Sequence, residues 1–214
     1  MKVARTASEL LAHLDDELAW RVQEITTVQK AVKSANGGSE VALLRAGVPL
    51  LYAHWEGGVK AMAIRYVEFI SRQGHTYADI KQCFSGLKAL GQVKQMHSIT
   101  KRVFAASNLL TEIYGISNQR ASIPLRAYVS NVGNLNFDMF EQVAGFIDID
   151  AGKYTARKNM IDESLLKQRN EIAHGEFLTV DAAAFDSMSR EVLTLLRQFK
   201  DDVQNALVQK TYLR

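Results

Sequence analysis

Apolar residues recur at every third or fourth position along most of the chain, which is the spacing of one buried helix face. The first such pattern follows Thr6, which forms a capping-box signature with Glu9, and it continues up to Gly37. A second pattern runs from Val41 to Ile70. We therefore predict two long antiparallel helices at the start of the chain.

The second pattern contains Pro49. Because proline lacks an N–H and clashes with the preceding turn, we predict a kink or break just before it. Helical patterns continue downstream, apart from the segment 116–135, whose Pro, Gly, Asn and Ser content is typical of an irregular connection. Polar residues precede these later patterns and are their predicted caps: Thr76, Asn136, Asp162 and Thr179.

The composition supports an all-α fold in a single domain over residues 1–214. The chain has only 2 prolines, which favours long helices over many short strands, and its 214 residues are enough for a full hydrophobic core. Cys83 is the only cysteine, so an internal disulfide and a cysteine-rich zinc site are excluded. Neither a secretory signal nor an apolar run of roughly 18 residues is visible, and we therefore predict a cytoplasmic protein without a membrane segment.

Charge is unevenly distributed along the chain. Residues 1–79 have 9 basic and 9 acidic side chains, residues 80–137 have 7 and 1, and residues 138–214 have 10 and 13. The middle stretch, whose only acid is Glu112, is a candidate nucleic-acid-binding surface, although a solvated helix face explains such a run equally well. Its basic residues are Lys81, Lys88, Lys94, Lys101, Arg102, Arg120 and Arg126.

Signatures of the common cofactor sites are absent from the sequence. It contains no phosphate-binding loop, no dinucleotide-binding glycine motif, no HExxH and no GxSxG, so we predict no cofactor and no bound metal. The segment 148–152, Asp-Ile-Asp-Ala-Gly, resembles a calcium loop only superficially, and we interpret it as a turn with cap residues. Glu56, in the second long helix, is a candidate for orienting a catalytic Arg or His, and a solvated position is its alternative.

The segment 165–176 combines an arginine, an amide and a histidine on one amphipathic helix that ends at Gly175. Arg169 and Asn170 are adjacent, and His174 follows Arg169 by five residues. A purely structural interpretation exists, because a histidine near a helix C-terminus complements the dipole and Gly175 is an ordinary cap. On an ideal helix Arg169 and His174 also diverge by about 140°, so one helix does not easily direct both at one atom.

This arrangement resembles the signature of the HEPN superfamily, an Arg, a polar residue, and then a His after four to six intervening residues. The stretch 51–57 and the segment 134–174 are also similar to a branch of bacterial HEPN proteins of about this length. The chain is thus identified as a HEPN member over roughly its whole length. The resemblance implies a helical bundle that forms a homodimer with its motif helices face to face, so that Arg and His from two chains meet in one cleft.

Family members of this kind are frequently metal-independent ribonucleases in toxin–antitoxin or phage-defence systems. The resemblance therefore implies cleavage of single-stranded or loop RNA. In that reaction Arg169 would stabilise charge on the phosphate, His174 would transfer protons, and Asn170 would hold the phosphate or the imidazole. The implied partners are RNA, a second copy of the chain, and an antitoxin or defence-system protein.

Two alternatives to this activity remain at the level of sequence. One is a non-catalytic HEPN subunit that binds nucleic acid, a nucleotide or a partner protein. The other is a plain helical interaction protein, whose motif is simply a capped helix end. The chain also departs from the HEPN toxins that a nucleotidyltransferase silences, because those toxins have a Tyr two residues after the motif His, where this chain has Glu176.

Overall fold

A computed structural model describes residues 3–96, 102–130 and 133–214 of the chain. Over these ranges the ordered elements are helices, accompanied by turns and isolated bridges, so the predicted all-α fold is confirmed. The helices are α1 (Ala7–Ser34), α2 (Gly37–Arg72), α3 (Gln82–Met96), α4 (Arg102–Ile116), α5 (Leu125–Ser130), α6 (Phe137–Phe146), a 3₁₀ helix (Ala151–Arg157), a π-helix (Met160–Leu166), α7 (Lys167–Ala173) and α8 (Ala182–Val208).

The two long helices α1 and α2 pack against each other in opposite directions, as predicted. Glu17 pairs with Arg65 near one end of the contact, and Val28 lies against Gly47 near the other, so positions that advance along α1 go back along α2. The connection between them is only two residues long, because α2 begins at Gly37. Gly37, at which the first helical pattern stops in the sequence, therefore begins α2.

The last helix, α8, packs on both α1 and α2 and closes the core. The close approach of α2 and α8 depends on two glycines. A Cβ atom added at Gly47 would lie 2.6 Å from a ring carbon of Phe185, and one added at Gly58 would lie 2.6 Å from a methyl group of Leu196. Since such contacts are far shorter than van der Waals distances, a side chain at either glycine would force the Phe185 ring or the Leu196 side chain to move within the core.

Of the kink or break predicted just before Pro49, the break does not occur, because α2 is a single helix from Gly37 to Arg72. Proline removes one backbone hydrogen bond and forces a local adjustment. The remaining bonds of a 36-residue helix, together with burial of its apolar face between α1 and α8, outweigh that loss. Among the helices in the described ranges, none is long and apolar enough to cross a membrane.

The cap predictions that rest on neighbouring residues are confirmed. The Thr6 side chain accepts a hydrogen bond from the Glu9 N–H (3.2 Å), and the Glu9 carboxylate accepts one from the Thr6 N–H (3.3 Å), which completes the capping box. Asn136 caps α6 through the Met139 N–H (2.9 Å). In the segment 148–152 an aspartate side chain caps the 3₁₀ helix, so the interpretation as a turn with cap residues also holds.

The segment 116–135 is only partly irregular, since it contains α5.

Three other cap predictions are wrong. Thr76 does not open a helix. Its N–H and hydroxyl donate to the Asp79 carboxylate in a turn (2.7 and 2.8 Å), and α3 begins three residues after that turn. Asp162 lies inside the π-helix, and its side chain accepts from the Phe137 N–H (2.7 Å), at the start of α6. Helix α8 is capped by Asp181, two residues after the predicted Thr179.

A buried polar cluster joins α1 to α2. The Arg21 guanidinium donates to Glu17 (2.6 Å), which also accepts a hydrogen bond from Arg65 (2.6 Å). Burial by itself raises the pKa of Glu17, but the hydrogen bonds from the two arginines outweigh it and hold the pKa below its ordinary value. Glu17 is therefore a charged carboxylate enclosed between two helices.

His54 belongs to the same cluster and is buried. Its Nδ1 lies 3.4 Å from Arg21 Nη1, and its Nε2 lies 2.9 Å from a Glu24 carboxylate oxygen, outside ideal hydrogen-bond geometry. Burial, followed by the charge of Arg21, lowers the pKa of His54. Because a guanidinium only donates, Nδ1 has its lone pair towards Arg21 and the ring proton is on Nε2, which faces Glu24.

Replacing Glu17 with glutamine is expected to destabilise the protein by about 3–5 kcal/mol, because the buried arginines lose the carboxylate that compensates their charge. Glu163→Gln is a matched control, since Glu163 and its partner Lys167 have 68% and 62% of their side chains exposed. That change should alter the free energy of unfolding by less than about 0.5 kcal/mol. Denaturant unfolding measures the change in the free energy of unfolding for each variant. Equal changes for the two substitutions would contradict the description of Glu17 as a buried, charged carboxylate.

Candidate functional site

The predicted motif lies on α7, which continues directly from the π-helix Met160–Leu166. In the π-helix the backbone hydrogen bonds join residues five apart, such as the Lys167 N–H and the Asp162 carbonyl. Helices of this type are rare, and those that occur often lie at functional sites. Leu165 and Leu166 are buried, and they fix this part of the chain to the core immediately before the motif.

The end of α7 is a Schellman motif. Gly175 has a φ of +82°, in the left-handed region that favours glycine. Its N–H donates to the Ile172 carbonyl (3.1 Å), and the Glu176 N–H donates to the Glu171 carbonyl (3.0 Å). The helix therefore stops sharply, with His174 as its last residue before the turn.

Three neighbouring groups hold the Arg169 side chain in place. Its Nη1 donates to Asn170 Oδ1 (2.7 Å) and to Asn134 Oδ1 (3.0 Å), and its Cζ lies 4.4 Å from the centre of the Tyr52 ring. Within the described part of the chain Arg169 makes no salt bridge, so neutral groups fix the position of the guanidinium and leave its positive charge without an acidic partner.

Two side chains of α2 determine where Asn134 lies. The Tyr52 hydroxyl accepts a hydrogen bond from the Leu135 N–H (2.6 Å), and the indole N–H of Trp55 donates to the Leu135 carbonyl (3.2 Å). Both hydrogen bonds are buried, and Trp55 is a core residue. Because Leu135 is bound at both its polar backbone groups, the preceding Asn134 is placed against Arg169.

Glu56 lies one turn after Tyr52 on α2. It pairs with Lys60 (2.6 Å). Burial, and next the nearby Glu56 carboxylate, raise the pKa of Tyr52 well above its ordinary value, so the phenol remains protonated. Glu56 has no hydrogen bond to Arg169 among the described contacts. The orienting role predicted for Glu56 would therefore act on the Tyr52 ring, which in turn contacts Arg169.

Arg169 borders an open cavity of about 330 Å³ whose wall is the outer face of α2 from Pro49 to Lys60. This volume lies at the lower end of the range typical of small-molecule sites. His174 does not line this cavity. Its side chain is exposed and has no hydrogen bond to the described residues, although its backbone N–H donates to the Asn170 carbonyl (2.9 Å). One chain thus does not bring Arg169 and His174 together, in agreement with their divergence on an ideal helix.

The predicted RNA-binding residues fall at separate places. Lys81 forms an ion pair with Asp148, Lys88 is half-buried on α3, and Arg120 is exposed in a segment bridged to Thr76. Arg126 is on α5 and pairs with Glu68 of α2 (2.7 Å). The other three predicted residues have side chains that the structure does not describe. Lys94 is in α3 and Arg102 begins α4, while Lys101 lies outside the described residues.

The arrangement around Arg169 is suited to an anion. It combines an uncompensated guanidinium, two amides and a protonated phenol beside an open cavity, and a guanidinium offers planar, paired donors to phosphate or carboxylate oxygens. No group of three or more His, Cys, Asp or Glu side chains within the described ranges is placed to hold a metal ion. Tyr52 and Asn134 are not identifiable as site residues from the sequence, because each is far from the motif along the chain.

Replacing Tyr52 with phenylalanine should keep the ring beneath Arg169 and remove the acceptor of the Leu135 N–H. A buried N–H without a partner costs about 1–3 kcal/mol, so stability should fall by that amount and the Leu135 amide should exchange its hydrogen faster. Tyr128→Phe is the control, since its bond to Gln142 lies at the surface. An unchanged exchange rate at Leu135 in Tyr52→Phe would show that Tyr52 does not anchor this segment.

Comparison with known proteins agrees with the family resemblance and with the fold. A family model described as MAE_28990-like HEPN matches residues 10–212 of the chain. No curated protein and no solved structure gives a significant match. Because the family model spans nearly all of the 214 residues, the chain belongs to the HEPN superfamily, whose domains are often ribonucleases.

Proposed function

We propose that this HEPN protein is a metal-independent endoribonuclease that cleaves single-stranded or loop RNA. The observation that carries the proposal is the state of Arg169, a cation that neutral groups hold at the edge of an open cavity without an acidic partner among the described residues. Maintaining an uncompensated charge in a fixed position favours a bound anion. The phosphodiester group of RNA supplies such an anion at every nucleotide.

The proposed reaction is an attack of a ribose 2′-oxygen on the adjacent phosphorus. A base removes the 2′-OH proton, the new P–O2′ bond forms, the P–O5′ bond breaks, and an acid returns a proton to O5′. The products are a 2′,3′-cyclic phosphate and a 5′-OH. His174 transfers protons because imidazole exchanges them near neutral pH, and Arg169 stabilises the additional negative charge on the phosphate oxygens.

Asn170 has a different role in this mechanism from the one that the sequence suggests. Its side-chain oxygen accepts from Arg169, so it orients the guanidinium together with Asn134. Glu56 supports the same arrangement through Tyr52. The charged fork of Arg169 is therefore oriented before substrate binds, which lowers the reorganisation needed in the transition state.

We infer that the active form is a homodimer. His174 is exposed and lies outside the cavity that Arg169 borders, so a single chain does not direct both groups at one phosphate. A two-fold axis near the motif helices would bring Arg169 of one chain towards His174 of the other. A toxin or phage-defence role, with a protein partner that restrains the activity, rests on family membership alone.

A non-catalytic nucleic-acid-binding or partner-binding subunit is the second candidate. The observation in its favour is His174, whose imidazole no described residue orients. In such a subunit Arg169 would bind phosphate or another anion without reaction. Chemical analysis of the products distinguishes the two candidates.

The purified protein should cleave RNA in the presence of EDTA and leave 2′,3′-cyclic phosphate or 3′-phosphate ends. His174→Ala is expected to lower the rate by about 10²–10⁴-fold and Arg169→Ala by about 10²–10³-fold, with unchanged helical content by circular dichroism. Mass spectrometry of the products identifies the ends. A 5′-phosphate product, or activity that appears only with added magnesium, would refute this mechanism.

Mixing two inactive variants tests the composite site. Arg169→Ala and His174→Ala protomers, when combined in equal amounts, should form heterodimers in which one Arg–His pair is intact. Random exchange gives about half heterodimers with one of two pairs each, so about a quarter of the wild-type rate should return. If demonstrated heterodimers stay inactive, or if a monomer is fully active by sizing, the composite site is wrong.

A further inference from the structure

Phe177 is an exposed aromatic residue immediately beside the proposed site. Among the described residues it has the highest exposed fraction of any large hydrophobic side chain, 82%, and it follows His174 by three positions. Single exposed apolar side chains are ordinary on protein surfaces. Their position relative to a reactive group, and the order of their surroundings, determine whether a function is indicated.

The backbone on both sides of Phe177 is held in place. Before it, the Schellman hydrogen bonds fix the turn at Gly175, and after it the Leu178 carbonyl accepts from Arg45 Nη1 (3.3 Å). The Arg45 guanidinium also lies over the Phe177 ring, with its Cζ 5.5 Å from the ring centre. The ring is therefore presented to solvent from a fixed backbone, and an arginine contacts it.

The charges around Phe177 distinguish between binding a phosphate and binding a base. Glu176 is the adjacent residue, and its carboxylate repels phosphate oxygens at this point. Arg45 supplies a planar cation, which stacks on a nucleobase as well as on an aromatic ring. A nucleobase is uncharged and presents a flat π surface, so it fits a site made of Phe177 and Arg45 better than a phosphate does.

We propose that Phe177 stacks on an unpaired nucleobase next to the phosphate that is cleaved. Bases inside a duplex are already stacked on their neighbours and do not offer a free face, whereas bases in single strands and loops do. Phe177 thus selects single-stranded RNA at the active site. This inference rests on the proposed ribonuclease function, because it takes RNA as the molecule bound beside Arg169 and His174.

The test uses a fluorescein-labelled, single-stranded 2′-O-methyl RNA, which binds but lacks the 2′-OH needed for cleavage. Fluorescence anisotropy of the full chain should give an affinity about 5- to 150-fold weaker for Phe177→Leu than for wild type, the range for loss of one stacked base. Phe177→Tyr should restore binding, since it keeps the π face. The same strand in a duplex should bind Phe177→Leu and wild type equally.

Val208→Ala is the control, because Val208 is also an exposed apolar residue, 66%, and lies at the end of α8, outside the basic stretch 80–137. It should bind the single strand as wild type does. A second measurement uses strands with one abasic position, moved along the sequence. At the position that Phe177 contacts, wild type and Phe177→Leu should bind with equal affinity, because the base that makes the difference is missing.

Several outcomes would overturn the proposal. These are the absence of single-strand binding by wild type, equal binding by wild type and Phe177→Leu, or equal losses for single strand and duplex. A Phe177→Leu protein that sizes as a monomer while wild type is a dimer would make Phe177 a contact between subunits instead. Because the probe is uncleavable, stacking without any cleavage of ordinary RNA would reject the ribonuclease proposal and leave base recognition by Phe177 standing.

Discussion

The double attachment of Leu135 to α2 is the interaction on which the candidate site depends. Tyr52 and Trp55 have large apolar rings that belong in the core, and each also has a polar atom that needs a partner when buried. Leu135 supplies both partners, its N–H to Tyr52 and its carbonyl to Trp55. The same two bonds leave Asn134 beside Arg169 and the Tyr52 ring beneath the guanidinium. The hydrogen bonds that allow Tyr52 and Trp55 to be buried in the core therefore also position the residues around Arg169.

The two hydrogen bonds to Leu135 form only if α2 is rotated about its axis so that Tyr52 and Trp55 both face that residue. Contacts with α1 and α8 determine that rotation, because Gly58 accommodates a methyl group of Leu196 and a Cβ atom at Gly57 would lie 3.3 Å from the Arg21 guanidinium nitrogens. Rotating α2 would replace these glycines by larger side chains and separate Arg65 from Glu17 of α1. Packing against α1 and α8 therefore directs Tyr52 and its neighbours on α2 towards α7. The contacts that set this orientation lie away from the motif.

The sequence predicts the parts of this fold that depend on neighbouring residues. The Thr6 capping box and the Asn136 cap join positions three apart, and the long helices follow from local periodicity. The errors arise where a distant segment supplies the partner. Asp162 is of a residue type that commonly caps helices, but its side chain accepts a hydrogen bond from the N–H of Phe137, 25 residues earlier. The π-helix before the motif has no sequence signature, since it depends on how buried Leu165 and Leu166 meet the core.

The candidate site divides in the same way. Arg169, Asn170 and His174 are identifiable from the sequence through their resemblance to a HEPN signature, whereas Asn134 and Tyr52 lie 35 and 117 positions from Arg169 and have no local pattern that links them to it. The structure also separates two members of the motif. The Arg169 side chain is bound within its own chain, but the imidazole of His174 is exposed at the end of a helix whose backbone alone is fixed. Each chain therefore has an ordered arginine and a histidine whose imidazole no described residue orients. In the proposed ribonuclease, a second subunit or the RNA itself would supply the contact that orients this imidazole.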